Sequence, residues 1–392
     1  MALMRHLATL KYVLSKRGIG LRHAVYGLCI IAVLFTSVTY VLRLSPYGNR
    51  SDGIEYVRAK VLHTTIDSTI QFPGNNQRLQ VRILDGTNRG RVLVVTNSIF
   101  LRDPNARRLP IGSEILLSRH QDNGNQYLYL DVYRLPGAIL LFLLLLALVV
   151  VIGRWRGFTA VIGLTISIGV LASFVLPRII AGQDTFVVCM EGAFIISSIT
   201  IFIAHGLSKR TIVAFISSIG TLLLVVGLAA ASVYCIGLTG FSGEDSFAIQ
   251  SATPPISLSG LLLGGIVIAS LGVLDDITTG QAAVIDELYR ANRKLAIWEL
   301  YSRGLSVGRE HIAALINTLA LAYVGVALPT IVLTALYNHQ PLLLVVNNEA
   351  IMEEIVRTGV ASIGLLLAVP LATLSAAYML PRWYAYKAMH HQ

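Results

Sequence analysis

The chain has 392 residues, of which 55% are hydrophobic and only 13% charged, with a formal net charge of +10 and a mean hydropathy of +0.68. A soluble domain carries roughly a quarter of its residues as Asp, Glu, Lys and Arg, so this composition excludes a cytosolic enzyme and a disordered chain. It describes a protein whose main solvent is lipid.

A bilayer core about 30 Å thick is crossed by about 20 apolar residues. The first such stretch, residues 24–42, follows a basic leader over 1–23 that holds Arg5, Lys11, Lys16, Arg17 and Arg22. It is longer than the apolar core of a signal peptide and reaches Arg43 without a small-x-small cleavage site, so it is expected to remain as an anchor.

Composition changes over residues 46–135, where apolar and polar residues alternate with period two at 56–62, 79–84, 91–95, 114–117 and 127–133. Turn signals such as Pro73-Gly74-Asn75 and Asp122-Asn123-Gly124 separate them. Five short strands in so few residues suit a small β-barrel of the OB type. Lys and Arg outnumber Asp and Glu here, which fits a solvated surface near anionic lipid; nucleic acid is not an expected partner outside a cell. Tyr127, Tyr129 and Tyr133 share one face of the last strand and are read as packing.

Seven further apolar stretches follow, at 137–153, 158–176, 185–205, 212–236, 256–274, 312–336 and 355–380, with Pro177 leaving open whether the second of them bends or continues. Short loops rich in Lys and Arg face the cytoplasm. Arg154 and Arg156, Lys209 and Arg210, Arg290, Arg293 and Lys294, and Arg382 and Lys387 therefore place both termini inside, the tail 381–392 included, and the 46–135 domain outside. The fold class expected is an α-helical polytopic bundle of about eight spans with a small external β domain after the first.

Cys29, Cys189 and Cys235 all fall in spans without CxxC or metal-ligand spacing, and no Walker loop, HExxH, GxSxG or dinucleotide fingerprint occurs. Neither cofactor nor metal nor enzymatic activity is expected from these residues.

Within the spans the informative residues are polar, because a charge at the bilayer centre costs at least about 2.5 kcal/mol. Glu191, Ser198 and His205 recur every seven residues on one stripe, close to Ser197 and Thr200. The stripe fits a proton or cation path; Glu191 pinning two helices is the plainer alternative. Asp275 and Asp276 end the apolar run at 256–274, with Thr279 placed to hydrogen-bond either acid. Negative charge is unfavourable at a helix C-terminus, so the helix is expected to continue past them. Residues 281–309 read as an amphipathic cytoplasmic pair, with Glu299 and Arg303 at ion-pair spacing and Leu288, Ala291, Leu295, Trp298 and Tyr301 suited to the bilayer surface. Asn317 either bonds a neighbouring helix or completes a site with the Asp pair. Arg357 is a candidate partner for Glu191. Gly260 and Gly264, with Gly265 and Ala269 at the next offset, form a small-residue stripe for close helix contact.

Leu274-Asp275-Asp276-Ile277-Thr278-Thr279-Gly280-Gln281, Val307-Gly308-Arg309-Glu310-His311-Ile312-Ala313, Asn317-Thr318-Leu319 and Glu353-Glu354-Ile355-Val356-Arg357 together resemble the YibE/F family of bacterial membrane proteins. The resemblance covers about residues 130–380 and departs from the family's pattern at Gly280, where serine is expected, and Glu310, where aspartate is. It implies a multi-pass protein of the bacterial inner membrane and supplies no substrate. A weaker likeness to one half of an RND-type permease rests on the order of span, external domain and helical bundle with paired acids.

Two functional expectations result. One is a permease coupled to protons or small cations through Glu191, Ser198, Asp275, Asp276, Thr279, Asn317 and Arg357. The other is a membrane scaffold or assembly factor whose β domain binds an envelope partner, or a second copy.

Overall fold

A computed structural model describes residues 54–67, 76–98, 109–120, 126–242, 244–251, 254–337 and 341–389. The basic leader, the 24–42 span and both turn tripeptides quoted above lie outside the described residues. The chain divides into two units, Met1–Trp155 and Arg156–Gln392.

All five period-two runs are strands: β1 (Ile54–Asp67), β2 (Asn76–Ile83), β3 (Val92–Ser98), β4 (Glu114–His120) and β5 (Tyr127–Val132). They form one antiparallel sheet in the order β3-β2-β1-β4-β5. β1 is long because it pairs on both sides, and a bulge between Val61 and His63 bends it as the sheet curls. The outer strands β3 and β5 approach each other, giving the half-closed strand order of an OB-type barrel.

Alternate residues Val57, Ala59 and Val61 meet Leu79, Val81 and Ile83 on one side and Ile115 and Leu117 on the other, all fully buried. Each such valine or leucine contributes about 1.5–3 kcal/mol. Tyr127 and Tyr129 pack on this core, as the sequence suggests. One buried charge is paired: Glu55 meets Arg119 at 2.6 Å and accepts from the Thr87 hydroxyl at 3.0 Å.

Among the described residues seven helices are long and apolar enough to cross a membrane: Leu135–Trp155, Gly157–Ile180, Thr185–His205, Lys209–Ile236, Leu258–Ala291, Ile297–Leu333 and Glu349–Ala385. They correspond to the seven stretches expected after the β domain. The first two lie in α1 (Leu135–Val170), divided at Arg154, whose φ of 52° breaks the helix at the basic loop between them. A π-helical turn, Leu171–Val175, then leads into α2 (Leu176–Ile180). The wider turn makes room for Pro177, which has no N–H and crowds the preceding carbonyls, so the span continues through the proline to Ile180.

Side chains and glycines fix the following boundaries. Asp184 caps α3 (Thr185–His205), Ser208 caps α4 (Lys209–Ile236) and Ser257 caps α6 (Leu258–Ala291). Gly237, at φ 77°, ends α4 in the left-handed conformation. α5 (Glu244–Gln250) lies in the connection between α4 and α6. α7 (Ile297–Tyr337) is followed by short α8 (Leu342–Val346) and by α9 (Glu349–Met389).

Residues 281–309 are not a separate surface pair. They are continuations of α6 and α7, joined through 292–296. Leu288, Leu295 and Tyr301 join a core with Val213, Ile285, Leu300 and Leu380, whereas Trp298 remains exposed. The expected Glu299–Arg303 pair forms at 2.7 Å.

α9 is the central helix: 56% of its membrane window is buried, against none of that in α7. It packs with α4 and α6 around Val225, Ala229, Ile266, Val267, Leu271, Leu365 and Val369.

Candidate functional site

α6 begins at Leu258, so Asp275 stands about 26 Å along its axis, well inside the helical bundle. The helix then runs on to Ala291, which removes the unfavourable placement of two carboxylates at a C-terminus. Adjacent residues point about 100° apart. Asp275 accordingly turns inward and is partly buried, while Asp276 is exposed.

Three hydroxyls surround Asp275. Ser197 of α3 donates to Oδ1 at 2.9 Å, and Ser218 of α4 donates to the same oxygen at 2.5 Å. Thr200 Oγ1 lies 3.4 Å from Oδ2. The same hydroxyl also reaches Ile196 O of its own helix at 2.8 Å. Oδ2 therefore has the longest of the three hydroxyl contacts. No ion pair reaches Asp275 among the described residues.

At the neighbouring Asp276 lies a cleft of about 200 Å³ lined by His205, Arg210, Thr211, Asp276, Thr279 and Gly280, large enough for several waters. It sits at the end of the bundle where α3 meets α4 and brings two basic side chains to the exposed acid. Toward the opposite end, Ser270 is five residues from Asp275 on the same helix, and its buried Oγ has no hydrogen-bond partner.

The expected site residues are distributed differently from the sequence reading. Asp275 and Asp276 are at the centre of the arrangement. Thr279 lines the cleft, but its hydroxyl donates to the main-chain oxygen of Asp275 at 2.8 Å; the preceding helical turn offers a nearer acceptor than either carboxylate. Ser198 points away and donates to Phe194 O at 2.6 Å. Glu191 pairs with Arg178, which also donates to Gln183 Oε1 at 2.6 Å, and is exposed. Arg357 pairs with Glu354, one turn before it, and not with Glu191. Asn317 is exposed on α7 and makes no contact with the Asp pair.

Seven-residue spacing drew attention to the 191–198–205 stripe, whereas the face of α3 turned toward α6 carries Ser197 and Thr200. Ser218 was missed. Its signal was the pair Ser217-Ser218, with Thr221, in an otherwise apolar span; of these, Ser217 and Thr221 bond carbonyls of their own helix, which leaves Ser218 for a neighbour. Among the described residues no group of three His, Cys, Asp or Glu is disposed to hold a metal ion.

Seven apolar helices, a central acid held by hydroxyls of neighbouring helices and a small β domain define a multi-pass integral membrane protein. Residues 141–382 match the family model described as YibE/F-like protein, and since this is more than half of the chain, the protein belongs to the YibE/F-like family. No curated protein and no solved structure matches it.

Proposed function

We propose that the protein is a permease whose transport is coupled to protons or small cations at Asp275. The observation that carries this reading is a carboxylate deep in a membrane helix, with hydroxyl partners and, among the described residues, no basic one. A carboxylate neutralised by Arg or Lys is fixed as an anion, whereas one held by hydroxyls is free to take up and release a positive charge. Oδ2, with the single and longer Thr200 contact, is the less engaged oxygen and the one to take up a proton. The cleft at Asp276 and His205 supports water access from one end, and the unpartnered Ser270 hydroxyl supports a polar step toward the other.

The basic loops favour insertion in a bacterial inner membrane with the cleft on the cytoplasmic side. In proteoliposomes under an imposed pH gradient, the wild-type chain is expected to carry protons and Asp275→Asn to carry none. Equal flux in the two would end the reading.

One observation favours a second reading, a scaffold that binds an envelope partner. Val92 and Val94 of β3, with Leu128 and Leu130 of β5, are exposed on the outer face of the two strands that approach each other. Such side chains at the open edge of a sheet suit a protein contact. A chain lacking residues 50–134 that retains full proton flux but loses a co-purifying partner would favour the scaffold role for that domain.

A further inference from the structure

A second charged cluster, partly buried, lies at the far end of the same bundle, at the start of α9. Glu353 and Glu354 are adjacent and Arg357 lies one turn beyond them, and Glu353 is only 6% exposed. Arg357 forms its ion pair with Glu354. Three atoms are cut off from solvent without a hydrogen-bond partner among the described residues: Glu353 Oε1, Glu354 Oε2 and Arg357 Nε. Buried polar atoms are nearly always satisfied, and leaving one unmade costs about 1–3 kcal/mol. Two orphaned acceptors side by side call for a donor hydrogen.

Charge identifies its class. Glu349, the remaining acid of this turn, is compensated separately: it accepts from Thr239 N at 2.6 Å and from the Thr239 hydroxyl at 2.7 Å, at the N-terminus of α9. Tyr323 of α7 faces Arg357 and Glu354, and the Ser242 hydroxyl bonds Glu353; both are neutral. Two carboxylates against one guanidinium leave a single uncompensated negative charge in a buried setting, which requires one positive charge to accompany it. The neighbouring guanidinium repels a metal cation, whereas a proton arrives as a neutral O–H group and is also a donor for an orphaned acceptor.

We propose that Glu353 and Glu354 together hold one proton, forming a second protonation site at the opposite end of the bundle from the Asp276 cleft. Proton uptake from bulk forms one O–H bond on the pair and leaves the cluster neutral, with Arg357 balancing the remaining carboxylate. The charge count has a specific consequence: replacing either glutamate with glutamine removes the need for the proton on the other.

The test is infrared difference spectroscopy of the full chain in lipid nanodiscs, titrated between acid and alkaline pH. The wild type should show the carbonyl absorption of a buried protonated carboxylic acid at neutral pH. That absorption should persist in Asp275→Asn and disappear in both Glu353→Gln and Glu354→Gln. If Glu353→Gln does not fold, Glu354→Gln alone decides, because a purely structural Glu354 would leave the proton on Glu353. An absorption unchanged by these substitutions, or absent from the wild type, overturns the proposal. It is separable from transport at Asp275: flux without this absorption leaves only the permease reading, and the absorption without flux leaves only the second site.

Discussion

Ser218 Oγ on α4 lies 2.5 Å from Asp275 Oδ1 on α6, joining two helices 57 residues apart in sequence. The hydroxyl stabilises the carboxylate where it faces the bundle and ties α4 to α6, two of the three helices that form the core.

Ser218→Ala should therefore destabilise the chain, and Ser217→Ala should not. Interhelical hydrogen bonds in membranes contribute about 0.6 kcal/mol on average and up to about 1.7; a buried carboxylate acceptor places Ser218 toward the upper figure. Ser217 donates to Val213 O of its own helix at 2.8 Å, and its loss leaves only a carbonyl already bonded within that helix. Reversible unfolding in mixed detergent micelles measures the difference, and equal stabilities of the two variants would contradict it.

Much of this architecture is legible from residue order because its causes are local or periodic. Alternation along β1 to β5 and runs of apolar residues each follow from a single element meeting one kind of solvent. The extent of α6 was legible for another reason, the cost of ending a helix on Asp275-Asp276. What the sequence could not give was rotation. Ser197 and Ser198 are neighbours with the same side chain, yet one reaches Asp275 and the other turns back on Phe194 O, because the choice depends on which side of α3 meets α6. For the same reason Arg357 offered itself to Glu191, while nearer partners, Glu354 for Arg357 and Arg178 for Glu191, took each of them.

Close helix approach gives a sharp pair of substitutions. A Cβ added at Gly264 would collide with the Cys189 side chain on α3, and one at Gly260 would lie 3.1 Å from Thr185 Cβ, whereas one at Gly265 meets nothing within 4 Å. The stripe is thus narrower than the sequence suggests. Overpacking costs about 1–3 kcal/mol, so Gly264→Ala should lower stability by about that amount. Gly265→Ala should be neutral or slightly stabilising, since alanine is the better helix former. Thermal unfolding of the two variants in the same detergent separates them.

Sidedness can be read from thiols. Cys235 is exposed near the end of α4, and Cys189 is buried. Gly280 lines the cleft at the opposite end of the bundle and has open space for a side chain. With Cys29 replaced by serine, a charged, impermeant thiol reagent should label Cys235 in spheroplasts. Gly280→Cys should gain a second label only in inside-out vesicles, as the basic loops require. Both labels appearing from one side would contradict the helix count or the cleft.

Glu191 and Asp275 provide the last contrast, because each is an acid in a predicted span and only Asp275 is withdrawn, in part, from the surface. Glu191 is exposed and already paired with Arg178, whose guanidinium also lies 4.5 Å from the Phe174 ring. An exposed pair of this kind contributes little, about 0–1 kcal/mol, and its loss leaves the Asp275 hydroxyl contacts untouched. Glu191→Gln should then keep most of the proton flux of the wild type, while Asp275→Asn reduces it to the level of empty liposomes. Asp275→Glu should fall between them, since the charge is retained but an added methylene pushes the carboxylate against Ser197 and Ser218. Flux measured at one pH gradient for all three variants ranks them, and a loss in Glu191→Gln as deep as that in Asp275→Asn would move the ion path to the α3 surface.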